Sequence, residues 1–321
     1  MLRLVMLPPQ SDLTRSWAER LRMDVPSLDV QVAESVEDVA ASIATADAAY
    51  GTLSPAHLAS AGLLRWLQAP AAAPDAGYFS EELIAHPVTV TNLRGIYNDH
   101  VATHAVALVL ALARGIHRTI LDQRSHVWSP YREPDASIYL PEATVLVIGL
   151  GGIGNEIARL MNAFGCRVVA TDARVSEPPP YVVEVANPDE LDRLLPDADI
   201  VVLTVPHTPE TEGLFDAERF GMMKPSAVLV NIGRGMTVRL DALVDALESG
   251  TIAGAGLDVF EIEPLPEDHP LWDAPNVVLT PHVAVEGPYT DERRYGVLLE
   301  NARRFVSGEP LINVVDKEHW F

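Results

Sequence analysis

The stretch Thr144–Gly154, TVLVIGLGGIG, constrains the chain more than any other, because a β-rich apolar run stops there at glycines spaced GxGxxG. It reads as a strand, a tight turn and a helix start. Gly149 permits the turn, Gly151 lets the backbone approach a pyrophosphate, and Gly154 lets the helix pack on its strand with its free N–H groups facing the phosphates. Alone the hexapeptide is a weak signal. Its context strengthens it: Ile153, Ile157, Leu160, Met161 and Phe164 form an amphipathic helix pattern, and Asp172 closes a second strand, CRVVATD, at the spacing a ribose contact needs.

At 321 residues and 48% hydrophobic content the chain suggests two domains, with enough length for two buried cores. A single cysteine, Cys166, excludes an intramolecular disulfide, and the opening MLRLVML is too short and too weakly charged for a signal peptide. The expected location is the cytoplasm. The longest apolar run, Ala105–Ala113, ends at Arg114 and is too short to span a bilayer. A formal net charge of −22 repels phosphate polymers and anionic lipid, so neither nucleic acid nor a membrane is expected as a partner. A small anionic substrate must be drawn by local cations and helix ends inside a cleft.

Ahead of the glycine turn, Leu2–Leu7 reads as a strand ended by Pro8 and Pro9, and Leu13, Trp17 and Leu21 share one helix face. Strand and helix then alternate through LDVQV, SVEDVAASIATA, DAAYG, LRWLQA, FSEELIA and VTVTN. This alternation predicts a parallel sheet covered on both faces over the first 97 residues, without a glycine fingerprint. It is the expected substrate domain. From Asn98 to Gln123 one long helix is expected, with Val101, Ala105, Leu108, Val109, Leu112, Ile116 and Ile120 on a wide apolar face. So wide a face needs more than one neighbour, within the chain or in a second copy. SHVWSPYREPDASIYLPEA follows without periodicity and reads as a linker.

Beyond Asp172, YVVEV is read as a strand, Asp189 to Leu195 as a helix, and DADIVVLTVP as a buried strand. Its end, VPHTPET, contains Val205, Pro206 and Thr211 and resembles the strand-to-helix loops that border a dinucleotide crevice. Three further strands, SAVLVNIGRG, IAGAGLDVF and NVVLTPHVA, end at Arg234, Asp258 and His282, with Glu263 five residues past Asp258. In an open parallel sheet, neighbouring carboxyl ends open onto one crevice. An arginine, a carboxylate and a histidine there suit hydride transfer to a 2-oxo acid, giving a fork for its carboxylate, a proton donor and a group that keeps the donor charged. The other histidines show no convincing metal spacing, and no metal is expected.

Together GLGGIG, the terminal Asp172, VPHTPET, NIGRG, LDVFEIEPLP and TPHVA resemble the D-isomer-specific 2-hydroxyacid dehydrogenase family nearly end to end. The resemblance implies an α/β fold of two doubly wound parallel-sheet domains. In it a Rossmann-type NAD domain, 98–285, is inserted into a flavodoxin-like substrate domain, 1–97 and 286–321. It implies that Arg234 binds substrate, that His282 is the acid/base and that Glu263 pairs with it. Dinucleotide contacts are implied at Gly152, Ile153, Asp172, Val205, Pro206, Ile232 and Asp258. NAD is expected over NADP, since Asp172 would repel a 2′-phosphate, although Arg174 is close enough in sequence to swing toward one. The C-terminal helix, around Pro288–Ser307, is implied to cross back onto the first domain, and a homodimer centred on the nucleotide domains is implied as well.

Some positions depart from the family pattern. In APAAAPD, where Ala72 and Ala73 are the expected substrate contacts, Ala73 and Pro74 replace a glycine and a small apolar residue, and Pro74 removes a backbone donor. Thr103 and Thr204 stand where many members have Glu and His. The expected activity is reduction of a small 2-oxo acid of the glyoxylate or hydroxypyruvate kind. The alternatives are a D-3-phosphoglycerate dehydrogenase without its regulatory domain, phosphite oxidation, and a dinucleotide-sensing interaction protein like the C-terminal-binding corepressors.

Overall fold

Serine opens each of the first four helices, and in each its side chain accepts the N–H of the third residue on: Ser11 from Thr14, Ser35 from Asp38, Ser54 from His57 and Ser80 from Leu83. Each such cap is worth about 1 kcal/mol over alanine. Strands and capped helices alternate as β1 (Leu2–Met6), α1 (Asp12–Asp24), β2 (Leu28–Val32), α2 (Val36–Ile43), β3 (Ala48–Tyr50), α3 (Pro55–Leu58), β4 (Trp66–Gln68), α4 (Glu81–Ala85) and β5 (Thr89–Thr91). The computed structural model describes residues 1–72, 76–130 and 137–318, and these elements belong to the first of its two units, Met1–Ile96 with Pro288–Phe321. Their sheet is parallel with order β2-β1-β3-β4-β5, the flavodoxin-like winding. Period-two alternation covers both of its faces: Leu4 and Met6 pack with Trp17 and Leu21 of α1, while Val5 and Leu7 pack with Val39 and Ile43 of α2.

The C-terminal helix, Thr290–Ser307, also lies on this unit, burying Tyr295, Leu298 and Ala302 in the core that holds Trp17. A buried polar chain fixes it. Asn301 donates to Gln68 Oε1 at 3.2 Å, Thr91 donates to the same oxygen at 2.8 Å, and Trp66 Nε1 donates to the Thr91 hydroxyl at 2.8 Å.

The second unit, Tyr97–Gly287, contains α5 (Asn98–Ala113), α6 (Ile116–Arg124), β6 (Thr144–Ile148), α7 (Gly152–Ala163), β7 (Arg167–Thr171), β8 (Glu184–Ala186), α8 (Leu191–Leu194), β9 (Ile200–Leu203), α9 (Ala217–Met222), β10 (Val228–Asn231), α10 (Leu240–Glu248), β11 (Gly254–Leu257) and β12 (Val277–Leu279). Its parallel sheet runs β12-β11-β10-β9-β6-β7-β8, the Rossmann order with one added edge strand, and the winding reverses between β6 and β9. Helices α8, α9 and α10 cover one face through Leu191, Phe220 and Leu243. The other face takes α5 and α7.

Helix α5 comes close because β11 contains glycine where it crosses. A Cβ on Gly256 would stand 3.0 Å from Leu108 Cβ, and one on Gly254 would stand 3.3 Å from Leu112 Cδ2.

The expected single helix from Asn98 to Gln123 is two helices bent by 70°. Gly115 causes the break by taking the left-handed region, φ +62, which ends α5 and starts α6. Val101, Ala105, Leu108, Val109 and Leu112 are buried, whereas Ile116 and Ile120 are exposed, so the wide face does not continue past the bend. The helix expected from Asp189 to Leu195 is one α-helical turn, Leu191–Leu194, between 3₁₀ turns, and the strand read in YVVEV covers Glu184–Ala186. Part of the expected linker, 131–136, lies outside the described residues. Among those described, no single helix is long and apolar enough to cross a membrane.

Candidate active site

Strand register decides what meets at the carboxyl edge of the second sheet. Ile148 pairs with Leu203, Leu203 with Asn231, Asn231 with Leu257 and Leu257 with Leu279. The residues that follow, namely Gly149, Thr204, Ile232, Asp258 and Thr280, therefore lie along one edge, the position at which open α/β sheets bind ligands.

The glycine turn is built for close approach. Gly149 has φ +93, and a Cβ there would stand 2.9 Å from Thr204 Oγ1. A Cβ on Gly154 would overlap the Gly149 carbonyl oxygen, so α7 can abut the turn only with glycine at that position. Gly152 is pressed by Asn98, whose Nδ2 would lie 2.5 Å from a Cβ. Gly151 differs: no protein atom lies within 4 Å of where its Cβ would stand. Packing within the chain does not require that glycine. Backbone access for a phosphate does, and the first-turn N–H groups of α7, which begins at Gly152 and Ile153, have no intrahelical acceptor. The residues present therefore fit a dinucleotide pyrophosphate.

Asp172 follows β7 and does more than the sequence shows. Its Oδ2 accepts the N–H of Leu150, inside the glycine turn, at 2.7 Å, and its Oδ1 accepts those of Arg174 and Val175 at 2.8 and 2.9 Å. A carboxylate has about four lone-pair sites, which leaves room for a ribose hydroxyl. Arg174 itself is exposed. In the VPHTPET loop the Thr211 hydroxyl donates to the Pro206 carbonyl at 2.7 Å and accepts from Thr208 N at 2.8 Å, closing the loop that carries Val205 and Pro206. Thr204, read only as a departure, places its hydroxyl 2.6 Å from the Gly149 carbonyl and ties β9 to the turn.

The NIGRG segment is equally specified. Asn231, wholly buried, accepts from Gly233 N at 3.1 Å and donates to the Arg234 carbonyl at 3.1 Å. A Cβ on Gly233 would stand 2.6 Å from the Val205 carbonyl oxygen, and one on Gly235 would overlap the Phe260 carbonyl. Between these two glycines sits Arg234, half-buried, with Nη1 donating to the Gly233 carbonyl at 2.7 Å. Ile232 is buried beside it.

His282 and Glu263 are in direct contact. Glu263 Oε2 lies 2.7 Å from His282 Nδ1, and Glu263 Oε1 accepts the Phe260 N–H at 2.9 Å. A carboxylate only accepts here, so Nδ1 carries the proton and Nε2 faces away from the pair. Asp258, 1% exposed, accepts from the Thr280 hydroxyl at 2.7 Å, from Val283 N at 2.9 Å and from Ala284 N at 3.0 Å. Its oxygens thus bracket His282 in the sequence. In the first unit Ala72 follows β4, and its carbonyl accepts from Asn92 Nδ2 at 2.8 Å. Ala73 and Pro74 lie outside the described residues. Among those described, no group of three or more His, Cys, Asp or Glu side chains converges to hold a metal ion.

The profile of the D-isomer specific 2-hydroxyacid dehydrogenase NAD binding domain matches residues 106–284. The chain belongs to this family. As a 2-hydroxyacid dehydrogenase it is an oxidoreductase that uses a nicotinamide dinucleotide. It is 37% identical to a glyoxylate/hydroxypyruvate reductase B of Pectobacterium carotovorum subsp. carotovorum over 70% of each chain. It is 36% identical to a D-3-phosphoglycerate dehydrogenase of Mycobacterium leprae over 70% of this dehydrogenase but 42% of that protein. The crystal structure of a D-isomer specific 2-hydroxyacid dehydrogenase from Xanthobacter autotrophicus Py2, in complex with NADPH and MES, superposes with a TM-score of 0.85 at 30% identity, covering 99% of both chains.

Proposed function

We propose that this dehydrogenase reduces small 2-oxo acids of the glyoxylate or hydroxypyruvate kind to D-2-hydroxy acids, with NADH preferred over NADPH. The Glu263–His282 pair at 2.7 Å, on the same sheet edge as the glycine turn, carries the reading. The bound dinucleotide supplies the hydride. Gly149, Gly151, Gly152, Ile153, Gly154, Asp172, Val205, Pro206, Ile232 and Asp258 line its site, with Thr211 closing the loop beside it. Arg234 grips the substrate carboxylate through paired hydrogen bonds, for which the guanidinium fork is suited and a lysine is not. His282 Nε2 delivers the proton to the carbonyl oxygen as negative charge builds there, and Glu263 fixes the tautomer and offsets the imidazolium charge. A panel of 2-oxo acids, followed by NADH absorbance, tests the reading. Glyoxylate or hydroxypyruvate should be among the best substrates, and absence of turnover with the whole panel contradicts it.

Cofactor choice rests on Asp172, which presents a carboxylate to the ribose and repels a 2′-phosphate. Because that carboxylate also accepts the Leu150, Arg174 and Val175 N–H groups, its removal does two things. Asp172→Asn, which removes the charge, should narrow the ratio of kcat/KM for NADH over NADPH. Asp172→Ala should in addition lower Tm, since hydrogen bonds to charged groups contribute about 1.5–3 kcal/mol each. A wild-type preference for NADPH overturns this assignment.

The protein is further proposed to be a homodimer that meets through α6 and the exposed Val127, Trp128 and Tyr139, rather than through the face of α5, which is buried. Among the described residues, Ile116, Ile120, Leu121, Val127, Trp128 and Tyr139 are all exposed, a concentration of apolar surface within one stretch of 24 residues. Light scattering should give twice the chain mass of 34.9 kDa, and Leu121→Glu with Ile120→Glu should return it to one chain. A monomeric wild type at micromolar concentration refutes the assembly. A cytoplasmic location accords with the buried, unpaired Cys166, whose thiol pKa burial pushes up to about 11.

A further inference from the structure

His282 has φ +55, in the left-handed region that costs a non-glycine residue of order 1–2 kcal/mol. Its neighbours hold it there. The His282 N–H donates back to the Thr280 carbonyl at 3.0 Å, and the next two N–H groups, of Val283 and Ala284, donate to the Asp258 carboxylate. The conformation of the histidine backbone therefore depends on where Asp258 is held.

Asp258 is held by Thr280, and the proton count along that contact reaches one residue further. The Thr280 hydroxyl has a single proton, with the Asp258 carboxylate at 2.7 Å and the Leu257 carbonyl at 3.4 Å. The shorter, charge-assisted bond takes it. The hydroxyl oxygen is then an acceptor for whatever else approaches it, and His104 Nε2, from the first half of α5, lies 2.9 Å away. His104 must therefore be the donor in that bond, with a proton on Nε2. The same nitrogen is 3.5 Å from Asp258 Oδ1, so it also faces the buried charge. A donor chain runs from His104 to Thr280 to Asp258, where the two backbone N–H groups beyond His282 converge on the same carboxylate.

We infer that His104 is a positioning residue for the reduction: through Thr280 and Asp258 it fixes the 282–284 segment and so aims the His282 imidazole. It touches neither substrate nor reacting atoms in this account. The inference rests on the reading of His282 as proton donor, and the test separates the two.

In His104→Leu, Thr280 loses its donor while the apolar packing of α5 is kept. The expected result is a kcat lower by about ten- to a hundredfold, as for a misplaced reacting group, with NADH affinity within about twofold of wild type. His104→Gln, whose side-chain amide can donate to the same hydroxyl, should recover most of the lost turnover. Equal impairment of the two variants, or wild-type kcat in His104→Leu, overturns the inference. A second readout needs no turnover. Nitrogen-15 histidine spectra of the full chain should show an Nε2–H resonance that disappears in His104→Gln, and the Nδ1–H resonance of His282 should shift in His104→Leu. An Nδ1–H tautomer at His104, or an unmoved His282 resonance, refutes the relay. If wild type turns over no 2-oxo acid, the functional reading fails, and these spectra still decide the relay.

Discussion

Replacing His282 by alanine is expected to lower kcat for 2-oxo acid reduction by two to four orders of magnitude, the range that general acid catalysis contributes. Hydride addition to a carbonyl leaves negative charge on oxygen, and among the residues placed at this edge His282 is the one with both a transferable proton and a fixed orientation. Its Nδ1 is committed to Glu263 at 2.7 Å, which leaves Nε2 for the substrate. NADH binding should be nearly unchanged, because the glycine turn, Asp172 and the VPHTPET loop lie after β6, β7 and β9, whereas His282 follows β12. Stopped-flow turnover and fluorescence titration of NADH measure the two quantities separately. Near wild-type reduction by the variant would falsify His282 as proton donor.

Gly154→Ala should have the opposite profile, losing both stability and cofactor affinity. The added methyl would occupy the space of the Gly149 carbonyl oxygen, and neither that backbone nor α7 can rotate away as a side chain would. Relief requires α7 to move off the turn. The cost should lie at the upper end of the about 1–3 kcal/mol typical of overpacking, a fall of roughly 6–12 °C in Tm for a unit of this size. Moving α7 also misdirects its first-turn N–H groups, and losing one charged hydrogen bond at about 1.5–3 kcal/mol weakens NADH binding by roughly tenfold to a hundredfold. Gly151→Ala is the contrast. No protein atom lies within 4 Å of its Cβ position, so it should keep its Tm while losing affinity. If Gly154→Ala melts and binds like wild type, the packing account of the turn is wrong.

The glycine turn and the two parallel sheets were legible in the sequence because each is written in local residue type, as glycines at fixed spacing and β-branched runs ended by polar residues, whereas the pairing of Glu263 with His282, 19 residues apart, followed only from the resemblance to the family. What was missed depends on neighbours distant in the chain. The break at Gly115 was overridden in the reading by the apolar period on either side of it, although a glycine there permits the left-handed turn that the structure takes. Asp172 reads as a ribose acceptor, yet its oxygens already accept three N–H groups of its own backbone surroundings, one of them 22 residues away at Leu150. Gly235 reads as part of a motif, and only the fold shows the Phe260 carbonyl against it. His104 reads in the sequence only as one of the histidines without metal spacing, since its partner Thr280 is 176 residues away and joins it where β12 packs near α5.

In the proposed reduction a hydride passes directly from the nicotinamide to the C2 carbonyl of a small 2-oxo acid, with proton delivery from His282. Reducing hydroxypyruvate with NADH deuterated at the transferring C4 position, and analysing the product by mass and chirality, reads that transfer. The expected product is D-glycerate with one deuterium, bonded to C2. L-glycerate, product without deuterium at C2, or no consumption of NADH would contradict it.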